Sequence, residues 1–227
     1  MDQAKIPQET PNIKRPLPHN VEGIPTPTGS IPPEVYRARR HTLMEQMGSG
    51  VALIFGADHV GDGQRQDLDF YYLTGLEFES GAALMLAPEH PQFKEVLFLR
   101  PLDVEDNRWH GNRPILGRAI ELGTGIAKVM RTTLLPRMLT DAILNTQNRE
   151  LVYLGSMVGY TSPIPKQLKV LREASTRILN SQIRDGHELL PRMRSVHDQY
   201  EIKVMRRAVD ITVEGFKFAM QSVRPDM

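Results

Sequence analysis

Apolar and polar positions fall in blocks along this chain, and the blocks predict strands and helices in turn. Val51-Ala52-Leu53-Ile54-Phe55 is a continuous apolar run stopped by Gly56, the pattern of a central strand covered on both faces. Gly81 to Leu86, followed by Pro88, repeats that pattern. Glu95 to Leu99 is a third strand, and with 81–87 it makes a hairpin across Pro88-Glu89-His90-Pro91. Ile126–Met130, Leu151–Leu154 and Ile178–Ile183 predict shorter strands. Helical spacing links Tyr36, Leu43, Met44 and Met47 after Pro32-Pro33, with Gly48 and Gly50 as the stop. Further helices are expected over 115–122, from a Thr132 or Thr133 cap to about Asn145, and from Ser162-Pro163 through Leu171. Between the first two strands, Arg65 to Leu73 reads as a polar loop packed down by the aromatics Phe70, Tyr71 and Tyr72, with a turn at Gly75.

The last helix carries the clearest signal. Asp198 with Glu201 three residues on forms a capping box. Met205, Ala208, Thr212, Phe216, Ala219 and Val223 then make an apolar stripe, closed by Pro225. Little chain follows to cover that stripe, which leads us to expect a fragment of a longer protein. The expected fold class is α/β, a mixed sheet flanked by helices. Residues 1–32 form a proline-rich extended tail that cannot close a core, residues 33–195 the domain, and residues 196–227 a linker and helix.

Charge and composition narrow the functions. A net charge of +1 gives no bulk field for nucleic acid or an anionic membrane. Arg39-Arg40 is read as helix charge facing water rather than as a nucleic-acid handle. The absence of cysteine removes disulfides, thiol nucleophiles and cysteine metal sites and fits a cytoplasmic protein. No segment approaches a membrane span.

Candidate chemistry is sparse. None of the seven histidines pairs with another at i, i+4, and no HExxH, GxSxG, phosphate-loop or dinucleotide signature is present. Asp62, Asp67 and Asp69 could hold a hard cation or act as acid and base, or simply cap turns. Trp109, flanked by Arg108, His110 and Arg113, offers a rigid apolar face that could clamp a proline ring, or else a half-buried core contact. The residues alone describe an α/β domain without a complete active site.

Several separated segments resemble one family. The Arg-rich helix from Tyr36 to Met47, then Arg65-Gln66 and Asp69-Phe70 with Tyr72, Thr74 and Gly75, are similar to the N-terminal domain of aminopeptidase P in the creatinase/prolidase superfamily. Its RQNSDFxYxTG signature is matched except that Asp67-Leu68 replace Asn-Ser. Trp109-His110-Gly111-Asn112-Arg113 resembles its W-x-G-x-R loop, and Met193-Arg194 with Glu201 to Ala208 resembles the lead into the catalytic domain. The resemblance implies a Xaa-Pro aminopeptidase, with the helix at 199–222 the first of a pita-bread catalytic domain. Two manganese ions would be held there by two Asp, one His and two Glu, all beyond that helix, so this chain would hold neither catalytic residues nor metal ligands. Its implied partners are that catalytic domain, further copies in a homo-oligomer and a proline-containing peptide. Trp109 would close over substrate, and Asp62 would reach a neighbouring site. A prolidase and a non-enzymatic oligomerisation or binding module are the alternatives.

Overall fold

The computed structural model describes residues 31–61, 63–102, 116–156 and 163–223. Its centre is a six-stranded mixed sheet built from β1 (Val51–Phe55), β2 (Ala83–Leu86), β3 (Glu95–Leu99), β4 (Val129–Arg131), β5 (Glu150–Tyr153) and β6 (Gln182–Asp185), in the order β4-β3-β2-β1-β5-β6. β1 and β2 pair antiparallel with Ala52 opposite Leu86 and Phe55 opposite Ala83, and β2 pairs antiparallel with β3. The three remaining pairings are parallel.

The apolar runs are continuous because both faces of the sheet are buried. With a side-chain period of two, Ala52, Ile54, Leu84, Leu86, Leu97, Leu99 and Val152 enter one core. Val51, Leu53, Ala83, Met85, Val96, Phe98, Leu151 and Tyr153 enter the other. The first core is covered by α1 (Pro33–Met47), α2 (Leu68–Thr74), α3 (Arg118–Thr124) and α6 (Leu189–Arg194). The second is covered by α4 (Leu135–Leu144) and α5 (Lys166–Arg177). The last helix, α7 (Gln199–Ser222), contributes no buried residue.

The β2–β3 hairpin forms across Pro88–Pro91 as expected, closed by Ala87 N–H on Lys94 O at 2.8 Å. Buried His90 locks the turn: its Nδ1 accepts from Gln92 N–H (3.1 Å) and Phe93 N–H (2.8 Å), which leaves Nε2–H to donate to Asp141 Oδ2 at 3.0 Å.

Five readings of the sequence are corrected. Leu68 to Thr74 is a helix, not a loop, because Asp67 Oδ1 caps it by accepting from Asp69 N–H and Phe70 N–H. Arg39 and Arg40 are buried rather than solvated. Neither Thr132 nor Thr133 caps α4; residues 132–134 form a 3₁₀ turn that runs straight into the helix at Leu135. The last strand begins at Gln182, not Ile178, because Ile178 still closes α5 with its N–H on Ala174 O. α5 itself starts at Lys166, after Pro165.

Candidate functional site

A connected set of polar contacts joins α1 and α2 to the start of α7. On α1, the period that buries Tyr36, Leu43, Met44 and Met47 also turns Arg39 and Arg40 inward. Arg40 has no exposure at all. Its Nε pairs with Glu95 Oε2 at 3.1 Å, and Nη1 donates to Leu73 O (2.8 Å) and Thr124 O (3.1 Å). One guanidinium therefore ties α1 to the ends of α2 and α3 and to β3.

Arg39, buried on the same face, has a different set of partners. Its Nη1 donates to Tyr72 O at 3.1 Å, and its guanidinium lies 4.1 Å from the Tyr72 ring centroid. Nη2 meets Asp198 Oδ2 at 2.6 Å and Glu201 Oε1 at 3.1 Å. A second tether runs beside it: Arg194 Nη1 to Asp69 Oδ1 at 2.7 Å, and Tyr72 Oη to Met193 O at 3.4 Å.

Asp198 also begins α7. Its Oδ1 accepts from Tyr200 N–H and Glu201 N–H, and Glu201 Oε2 accepts from Asp198 N–H at 3.0 Å, completing the expected capping box. Burial pushes the Asp198 carboxyl up, but hydrogen bonds from Glu201 N–H, Arg39 and Tyr200 N–H, with the Arg39 charge, outweigh it and hold the group below its ordinary value. The folded chain thus binds this proton more weakly than the unfolded chain. The stabilisation is complete above the ordinary carboxyl pKa of about 3.9 and is lost as pH falls through the lower folded-state value. Urea midpoints measured by helical circular dichroism should fall on that acid limb. Asp198→Asn, which keeps the cap, should flatten this part of the fall.

The Arg65-Gln66 pair has a structural role at Gln66. Buried Gln66 accepts Ala57 N–H (2.7 Å) and Asp67 N–H (3.0 Å) on Oε1 and donates to Glu79 O (2.8 Å). It pins the loop after β1 between the cap of α2 and the segment entering β2.

Of the two candidate substrate contacts, Trp109 and Asp62 both lie outside the described residues. Asp67 is the helix cap, and Asp69 is the partner of Arg194 rather than a cap. Among the described residues no group of three or more His, Asp or Glu is placed to hold a metal ion. The described donor set therefore does not fit the manganese pair implied by the family resemblance. No helix among the described residues is long and apolar enough to cross a membrane.

Sequence reasoning missed Arg39 and Arg40 as interior groups. The signal was present, since both fall within the Tyr36–Met47 stripe that marks the buried face of α1.

The family model for the aminopeptidase P N-terminal domain matches residues 36–153, just over half of the chain. The chain belongs to the aminopeptidase P N-terminal domain family. Xaa-Pro aminopeptidases of Escherichia coli and Haemophilus influenzae are 29% and 27% identical to it, over 85% and 86% of this chain. The match covers only 45% and 44% of those relatives, so the chain spans about half the length of the curated relatives it matches. An E. coli aminopeptidase P structure superimposes with a TM-score of 0.68 at 25% identity, covering 87% of this chain and 46% of that one. A Bacillus anthracis protein provisionally described as an aminopeptidase P gives 0.72 at 18% identity over 82% of this chain and 46% of its own, which speaks to the fold alone. At 85–87% of the chain, these likenesses extend past Tyr153, where the family model stops, into the region of α5 and α6.

Proposed function

We propose that this chain is the non-catalytic N-terminal part of a manganese-dependent Xaa-Pro aminopeptidase. It serves assembly and closure over a proline-containing peptide, and the metal site lies in a separate pita-bread domain. One observation carries the reading: beyond the family domain lies a 24-residue helix whose apolar side chains, among them Met205, Val209 and Phe216, stand exposed. A helix that is apolar and uncovered needs a partner surface. The Escherichia coli and Haemophilus influenzae relatives, both Xaa-Pro aminopeptidases, carry as much chain again outside the match, which supports a catalytic domain as that surface.

The role of Trp109 is tested in a protein that carries this chain together with its catalytic domain. Trp109→Ala is expected to lower kcat/KM for a Xaa-Pro tripeptide on the order of 100-fold, as for a misplaced substrate, with little change in Tm. Parallel loss of Tm and turnover would make Trp109 a core residue and remove substrate closure from the proposal.

A further inference from the structure

Each carboxylate at the start of α7 divides its two oxygens between two tasks. Asp198 gives Oδ1 to the N–H groups of Tyr200 (2.8 Å) and Glu201 (2.9 Å) and Oδ2 to Arg39. Glu201 gives Oε2 to Asp198 N–H and Oε1 to Arg39. A capping box satisfies only the helix's own donors. Here the outer half of the box is bolted to the domain through one guanidinium.

We propose that Arg39 is a positioning residue: it clamps the Asp198–Glu201 capping box and so sets the direction in which α7 leaves the domain. The guanidinium suits the task because it is itself fixed. It is 7% exposed, stacks on Tyr72 and donates to Tyr72 O, so the carboxylates meet a partner whose freedom was already lost in folding. A lysine ammonium, a point charge without the planar fork, cannot stack on Tyr72, reach its carbonyl and serve both carboxylates in the same way.

Nothing further along the helix takes over. From Ile202 to Val223 every residue is exposed. The neighbouring tether, Arg194 to Asp69, acts one element earlier, on α6. At 1.5 Å per residue a helix of this length spans about 36 Å, so a pivot of roughly 10° at Asp198 would move the far end by about 6 Å. Control at the N-cap is therefore control of everything attached to α7. The clamp acts on the helix whether or not a catalytic domain follows, so its failure and that of the proposed function are separable.

The chain has no cysteine, so two introduced thiols give a clean pair of spin labels. In the full 227-residue chain, Lys169→Cys on α5 and Gln221→Cys on α7 report the helix direction by electron–electron dipolar distance measurement. The expected result is one narrow distance distribution. Adding Asp198→Ser with Glu201→Gln keeps both capping groups but removes their charges, and should broaden the distribution at least twofold, with the amide protection of β1 unchanged. Arg39→Lys should broaden it in the same sense. A double variant as narrow as the parent would overturn the inference. So would a parent already as broad as the variant, or a loss of β1 protection in step with that of α7, which would leave Arg39 a folding residue only.

Discussion

Arg40→Ala is expected to destabilise the domain by about 3–5 kcal/mol, the scale for breaking a buried ion pair by removing one partner. The guanidinium is wholly buried and Glu95 is 19% exposed. Truncation strands that carboxylate together with Leu73 O and Thr124 O, and it opens a cavity where the ends of α2 and α3 meet α1. Arg40 is also incompletely served in the native state, since its Nη2 has no hydrogen-bond partner. The ion pair is therefore a poor source of net stability in itself, and the cost of Arg40→Ala lies mainly in what it leaves unpaired. Adding Glu95→Gln to Arg40→Met should recover part of the loss by removing the stranded charge and filling the volume. Urea titrations at constant m would show this as a large drop in midpoint for the first variant and a smaller one for the second.

Gly75→Ala should cost about 2–5 kcal/mol, from two separable sources. Gly75 closes α2 at φ 72°, ψ 5°, where an L side chain costs roughly 1–2 kcal/mol. A Cβ there would also lie 2.5 Å from the Tyr36 ring, and overpacking adds roughly 1–3 kcal/mol. Gly125 supplies the control, because it closes α3 in the same left-handed region, at φ 68° and ψ 16°, with no atom nearer than 3.3 Å to a Cβ. Gly125→Ala should show chiefly the conformational cost. Combining Tyr36→Ala with Gly75→Ala should leave a penalty close to that of Gly125→Ala relative to the Tyr36→Ala background. Equal midpoints for the two glycine variants in the wild-type background would remove the steric part of the explanation.

The sheet was legible because a strand buried on both faces must be apolar at every position. β1, β2 and β3 each show such a run, and the Pro88–Pro91 turn fixes the hairpin. α7 was legible because its capping box and stripe are local patterns that need no tertiary context. α2 was not. Its seven residues are too few for an apolar period to stand out, and aromatic density hid a cap that only the hydrogen bonds to Asp67 reveal. Arg39 and Arg40 depart from the sequence expectation because position on the helix outweighs charge. Their partners lie far away, at Glu95 and at Asp198 with Glu201, and no short-range pattern announces them. The signature residues likewise divide once folded. Gln66 pins a loop, Asp69 anchors Arg194, and Gly75 admits the Tyr36 ring. These three parts of the motif serve the packing of the domain, and each can be tested as such by stability alone.

The central claim is that catalysis in this system belongs to chain outside these residues. The most direct measurement is release of the N-terminal residue from a Xaa-Pro tripeptide by the purified 227-residue chain, with and without added manganese, alongside a Xaa-Pro aminopeptidase as positive control. The account predicts no release above background in either condition while the control turns over. Manganese-dependent release by the chain alone would contradict it and would place a working active site within these 227 residues.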